Sequence, residues 1–419
     1  MGQRQLQRWH LMKLVESRKM TLREAGEKMG VSYRHAKRIK RAIRDRGIQS
    51  LVHGNRGRPS KRRIDEKIRE KVLRLSKGVY GAFNDTHFTE RLREYEGVQV
   101  SRETVRKLRR ASGMGPKRRR RGPKHRKRRE RMAQEGAMVL WDGSPHAWFG
   151  SEHDPCCLMA AMDDGTGKLL AARFFPFEGA SGYLWLLKSL VKRYGIPLVI
   201  YHDRHGSLHR NDSNWTLQEQ LAGRQEPTQV GLALEGLGIR SIAALSPQAK
   251  GRIERLFGTL QDRLGAELAM EGIEDLDAAN RFLKTFLPRF NRRFAVPPRD
   301  AEQAWRQVSP GLDLDRIISF RYRSVVGNDN SIRIGGLLID LPPGPHGRSY
   351  AKAQVEVRQL LDGSWRVYYR DQLIARHSST ELRDPVRALK HNRRIQGASS
   401  EQWVYLASAP LPQTPQIGP

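Results

Sequence analysis

The sequence predicts a multi-domain fold: α-helical at the front, α/β in the middle, and a small β-barrel at the end. Three observations predict it. Residues 1–135 hold 42 Lys+Arg against 14 Asp+Glu, while residues 136–419 hold 35 against 30, so the net charge of +33 sits mostly in the front third. Apolar spacing is helical up to about residue 112, mixes strand-like and helical runs over 137–296, and drops to period two over 318–377. Capping residues and Gly/Pro turns separate these stretches, and 419 residues suffice for several domains.

Composition excludes some classes. There is no apolar run long enough to span a membrane and no apolar stretch behind the basic N-terminus of the kind a secretory signal needs. The two cysteines, Cys156 and Cys157, are adjacent, which suits neither a disulfide framework nor a zinc cage and reads as strand filler in a reducing compartment. A basic front joined to a nearly neutral remainder points to a polyanion-binding module ahead of something else.

The chain divides as follows. Residues 1–58 read as a helix-turn-helix DNA-binding domain. Thr21 with Glu24 makes a capping box, Gly30 makes the turn, and Ser32 caps a second helix with Ala36, Ile39 and Ile43 inward. Arg34, Lys37, Arg38 and Arg41 lie on the opposite face, where a groove-reading helix needs them; a solvated basic face is the plainer alternative. Gly54–Ser60 is a Gly- and Arg-rich linker whose Arg56 and Arg58 suit a minor groove, or a plain tether. Residues 59–115 repeat the theme. Ser101 caps a helix with Val105 and Leu108 inward and Arg102, Arg106, Lys107, Arg109 and Arg110 around it, and Gly113 ends it. Residues 116–135 form a basic linker: Lys117–Arg131 carries 11 Lys/Arg in 15 residues, and such a run stays unordered until it meets phosphate.

Residues 136–300 change character. Ala137–Phe149 is apolar and extended; Cys156–Met162 and Leu169–Phe175 are two more strand-like runs joined by a turn-rich segment. Ser181–Tyr194 is an amphipathic helix, Leu198–Tyr201 a short strand, Asn211–Gly236 a polar excursion, and Ile239–Ala243 another strand. A helix starting at Ser246 and Pro247 follows, with Ile253, Leu256, Phe257, Leu260 and Leu264 inward. That order, three antiparallel strands, helix, strand, excursion, strand, helix, is the order of the ribonuclease-H-like fold. Residues 274–296 add a helix with a core stripe of Phe282, Phe286, Phe290 and Phe294. Residues 315–380 read as the small β-barrel, and 381–419 as a disordered tail.

Three acids stand out. Asp142 lies inside a strand, where Asp is disfavoured; Asp203 ends the fourth strand; Glu254 sits at a core edge between Arg252 and Arg255. Glu254 alone reads as an ion pair or a metal ligand. The fold sets the first and fourth strands side by side with the helix packed on them, so the three converge. Carboxylates that close need cations, and hard divalent ions with oxygen ligands meet that need. Asp163 and Asp164 fit a turn, Asp154, Asp212 and Glu219 fall in loops, and Glu267 lies far along the last helix. His202 and His205 lack partners at zinc spacing.

Trp141-Asp142-Gly143-Ser144, His202-Asp203-Arg204-His205-Gly206 and Ser246-Pro247-Gln248-Ala249-Lys250-Gly251-Arg252-Ile253-Glu254-Arg255 resemble the catalytic blocks of DDE transposases with a retroviral-integrase-type core. Over residues 10–380 the chain looks most similar to bacterial insertion-sequence transposases of the ISNCY-like group. The resemblance implies that Asp142, Asp203 and Glu254 are catalytic and hold two Mg²⁺ ions, for which Mn²⁺ substitutes. It implies that Gln248 and Lys250 touch DNA near the cut, and that the partners are double-stranded DNA, both terminal inverted repeats and target, and a second copy on that DNA. It also implies a bacterial cytoplasm. Two features depart from the pattern: 50 residues separate Asp203 from Glu254 where many relatives have about 35, and Arg204 stands where integrases usually carry Asn. The rival readings are a catalytically silent DNA-binding regulator and a ribonuclease-H-type nuclease.

Overall fold

Three helices open the computed structural model: α1 (Gln3–Glu16), α2 (Leu22–Lys28) and α3 (Tyr33–Arg46). It describes residues 2–53, 55–57, 64–117, 122, 129–210, 215–244 and 250–380. The chain divides into two compact units, Met1–Arg74 and Leu75–Pro419. In the first, the expected capping box forms: the Thr21 amide donates to Glu24 and the Glu24 amide to the Thr21 hydroxyl, at 2.9 and 3.3 Å. Gly30 makes the turn at φ +65°, a left-handed conformation that a side chain would strain, and Ser32 caps α3. Leu11, Val15 and Ala25, with Met12, Ala36 and Ile39, form small cores between the three helices.

The helix α4 (Glu66–Lys77) follows, then α5 (Asp85–Glu94) and α6 (Arg102–Ala111), capped by Asn84 and Ser101. Val98 and Val100 are buried without joining a strand. Arg109 and Arg110, expected around the surface of α6, turn inward instead: both pair with Asp85, at 3.0 and 2.7 Å, and Arg109 also donates to the Phe83 carbonyl. An N-terminal Asp on α5 thus ties the two helices together, which spacing alone did not reveal.

The central sheet holds β1 (Met138–His146), β2 (Cys156–Asp163), β3 (Leu169–Phe175), β4 (Val199–His202) and β5 (Arg240–Ala243) in the order β3-β2-β1-β4-β5. The first three are antiparallel and the last two pair parallel, as the element order predicts. On one face lie α7 (Ala180–Arg193) and α9 (Gln229–Gly236); on the other, α10 (Gly251–Met270) and α11 (Leu276–Phe294). Strand alternation divides β1 between them: Val139 and Trp141 face α7, while Leu140 joins Ile253, Phe257 and Leu260 of α10. Burial of Cys156 and Cys157 in β2 agrees with their reading as strand filler.

The excursion differs from expectation. It contains α8 (Leu217–Ala222) and α9, because Thr216 and Thr228 cap them and because Val230, Ala233 and Leu234 are spaced to bury one face. Glu219, expected in a loop, closes the capping box of α8. The stripe on α11 is core at Phe286 and Phe290, with Phe282 and Phe294 half-buried beside them. Two α11 amides also close the sheet edge. Asn280 both accepts from and donates to the Phe174 backbone, at 2.8 and 3.1 Å, and Asn291 does the same for Leu169 at 2.8 Å each. A side-chain amide carries the same donor and acceptor as a peptide, so each substitutes for a neighbouring strand.

After α12 (Leu314–Ile317) come β6 (Phe320–Val325), β7 (Ser331–Ile334), β8 (Leu337–Asp340), β9 (Gln354–Gln359), β10 (Trp365–Tyr369) and β11 (Gln372–His377). They form a four-stranded sheet, β11-β10-β9-β6, and a β7-β8 hairpin. The expected barrel is therefore open: among the described residues β6 and β11 remain edges. Period-two spacing fixes strands and faces but not closure, which depends on twist and tilt. The tail beyond 380, most of the basic run at 117–131, and Ser246 and Pro247 lie outside the described residues; α10 itself begins at Gly251, with Lys250 preceding it.

Candidate active site

Register brings two of the acids together. Leu140 of β1 pairs with Tyr201 of β4 in a parallel ladder, so two residues further on Asp142 and Asp203 leave the same end of the sheet as neighbours. A third carboxylate joins them from the segment between β3 and α7: Asp142, Glu178 and Asp203 each offer an oxygen within 4.8 Å of the others. Gly143 makes room for it, since a Cβ there would lie 2.5 Å from a Glu178 oxygen. The buried Tyr183 of α7 donates its hydroxyl to Glu178, and His205 Nδ1 lies 4.0 Å from the same carboxylate.

A lysine bridges two of these carboxylates. Lys250 Nζ sits 2.7 Å from Asp142 and 3.2 Å from Asp203. Backbone amides add to it: Gly143 donates to Asp142 at 3.1 Å and His205 to Asp203 at 2.9 Å. The two aspartates respond in opposite directions. Burial pushes Asp142 up to about 6, with Lys250 opposing and Asp203 and Glu178 reinforcing. Burial also pushes on Asp203, but the His205 amide and Lys250 outweigh it and hold its carboxyl below the ordinary value. Burial and the Glu178 carboxylate raise the Tyr183 phenol well above its usual range, so it stays a donor.

Glu254 lies on the first turn of α10 with its side chain exposed, outside the group that Asp142, Glu178 and Asp203 form. The competing acids have structural work. Asp163 accepts from the Gly136 and Thr166 amides, and Asp164 from the Met132 amide and from Arg129 and Arg252. Glu267 is paired to Arg91 and Arg289. His202 is buried, with its Nε2 2.7 Å from the Ser241 hydroxyl.

Sequence reading missed Glu178 because its segment, Pro176-Phe177-Glu178-Gly179, has neither strand nor helix periodicity. The available signal was indirect: a glycine directly after Asp142 and an acid directly before a glycine-capped helix. Of the other expected residues, Arg34, Lys37, Arg38 and Arg41 are exposed on α3, and Arg102, Arg106 and Lys107 on α6; Arg56 is exposed between α3 and α4. Arg58 and Gln248 lie outside the described residues.

Comparison with known proteins places the chain. It is 34% identical over 364 residues to the putative transposase y4bF of Sinorhizobium fredii, covering 87% of this chain and 78% of that one. The chain belongs to the insertion-sequence transposases. A second member, the transposase for insertion sequence IS1202 of Streptococcus pneumoniae, is 32% identical over 316 residues, covering 68% and 67%. No protein-family model matches this transposase. Solved structures similar to it include a simian T-cell lymphotropic virus intasome with the PP2A regulatory subunit B56 gamma, at TM-score 0.31 and 14% identity over 74% of this chain and all of that one. Another is the HTLV-2 integrase catalytic core domain in complex with magnesium, at TM-score 0.27 and 16% identity over 41% and 97%. At such scores the ground for an integrase-like core is the sheet order and the position of the acids, not these neighbours.

Proposed function

We propose that this transposase binds the terminal inverted repeats of its element and catalyses metal-dependent phosphodiester cleavage followed by strand transfer into target DNA. The observation that carries this is the meeting of Asp142 and Asp203, 61 positions apart in sequence, at one end of the sheet beside the Lys250 ammonium. An all-oxygen donor set with more carboxylates than cations fits hard divalent ions. Asp142 and Asp203 would hold them. Glu254 would complete the set from the first turn of α10, four positions after Lys250. Mg²⁺, or Mn²⁺ in its place, would supply an activated water and charge stabilisation at the leaving 3′ oxygen, two ions being the arrangement such displacements favour.

The protein's own groups do the rest. Tyr183 and the Gly143 and His205 amides hold Glu178, Asp142 and Asp203 respectively, so little reorganisation is needed when charge develops. In the first step a water oxygen bonds to phosphorus as the bond to the 3′ oxygen breaks, leaving a 3′-OH and a 5′-phosphate. In the second, that 3′ oxygen attacks a target phosphodiester and displaces another 3′ oxygen. No side-chain nucleophile enters either step. The exposed cations of α3 and α6 would hold the repeat, and joining two ends calls for at least two copies on DNA.

A strand-transfer assay with terminal-repeat DNA and Mg²⁺ or Mn²⁺ tests the reading. Asp203→Ala is expected to lose cleavage and joining while still binding the repeat. Full activity in that variant overturns the assignment; metal-independent binding with no nicking by the wild type supports a silent regulator instead.

A further inference from the structure

We infer that Lys250 is the resident cation of the carboxylate group, and that a divalent ion enters only by displacing its ammonium. The inference rests on the proposed metal centre and concerns what occupies that centre beforehand. Lys250 is buried, with 9% of its side chain exposed, and its Nζ bridges Asp142 and Asp203 at 2.7 and 3.2 Å. A lysine so enclosed needs a compensating charge, and here the two aspartates supply it. They are also the two acids an incoming ion would use. Ammonium and ion therefore compete for the same oxygens, and like charges at that separation exclude one another.

Lys250 is the N-cap of α10 and its side chain makes no capping hydrogen bond there, so displacing that side chain would leave the helix intact. Once displaced it needs another anion, and a DNA phosphate at the site's mouth provides one. DNA would thus draw the ammonium out and raise metal affinity, and by thermodynamic reciprocity the metal would raise DNA affinity. The metal site would stay weak until substrate is present, which limits cleavage away from the element's ends.

The test is Mn²⁺ binding by the full-length protein, followed by electron paramagnetic resonance of free Mn²⁺, with and without terminal-repeat DNA. Three variants are compared with wild type: Lys250→Gln, Lys250→Arg and Asp203→Asn. Lys250→Gln is expected to bind Mn²⁺ about tenfold or more tightly than wild type without DNA, a difference of about 1.4 kcal/mol or more. It should also lose most of the gain that DNA brings. Lys250→Arg keeps the charge and should stay weak. Equal or weaker binding by Lys250→Gln, with binding abolished in Asp203→Asn, overturns the inference and leaves the metal centre standing. Binding unchanged in Asp203→Asn overturns the metal centre itself. Thermal unfolding of each variant separates local effects from loss of fold.

Discussion

Two helical pairs in the basic front third look alike in sequence and differ in what holds them. The α2–α3 pair packs with α1 around its own small cores, and its cations point outward. The α5–α6 pair belongs to the same compact unit as the central sheet and is fastened to α10 and α11 by buried charge. Glu267 of α10 accepts from Arg91 at 2.5 Å, from Arg289 at 2.8 Å and from His87 at 3.1 Å. Glu90 of α5 accepts from both terminal guanidinium nitrogens of Arg263, at 2.6 and 3.0 Å, and pairs with one of Arg293 at 2.5 Å. Lys117 adds a pair with Asp262 at 3.0 Å. A Ser cap and a basic face thus signal a helix, not its role. What distinguishes the second pair is charge that burial keeps from water.

The largest way to break this contrast is Glu267→Ala. It strands the buried Arg91, where removing one partner of a buried pair costs about 3–5 kcal/mol, while the partly exposed Arg289 is left to water. Urea unfolding should show that loss, whereas Ser32→Ala, which removes only the α3 cap, should cost about 1 kcal/mol.

Acid sharpens the contrast next. Burial lowers the His87 pKa, so the unfolded chain binds the extra proton and stability falls as pH drops below the ordinary value of 6.5. Burial pushes Glu267 up, but His87, Arg91 and Arg289 together hold it down. Its contribution is present above the ordinary 4.5 and is lost as pH falls through the lowered folded value. Denaturation followed from pH 7 downward should show both losses; His87→Gln should remove the first limb and Glu267→Gln the second.

The smallest effect concerns DNA. Arg38→Ala should reduce the slope of log affinity against log salt by about 0.9, the value for one phosphate contact. Arg106→Ala should change it less, because Glu103 already holds that guanidinium at 2.7 Å. Equal slopes would put α3 and α6 on the same footing.

Much of this was legible in the sequence. Asp142 within an apolar strand and Asp203 after another predicted neighbours, because parallel pairing of β1 and β4 aligns them. The core helices followed from Ile253–Leu264 and the phenylalanine stripe. Glu178 was not legible, since it reaches the site through a segment without periodicity and only the missing side chain of Gly143 admits it. Nor was the inward turn of Arg109 and Arg110, which depends on Asp85 of the preceding helix. Closure of the final sheet was misjudged because alternation says nothing about how far strands coil.

The α11 amides on β3 bear on assembly. Because Asn280 and Asn291 already fill the outward hydrogen-bonding positions of Phe174 and Leu169, another chain cannot extend the sheet through those two residues. Copies that gather there must meet through side chains, a contact that can be made and released, rather than through a continuous ribbon of backbone. If the protein works in several copies on DNA, as proposed above, that is protection against irreversible stacking.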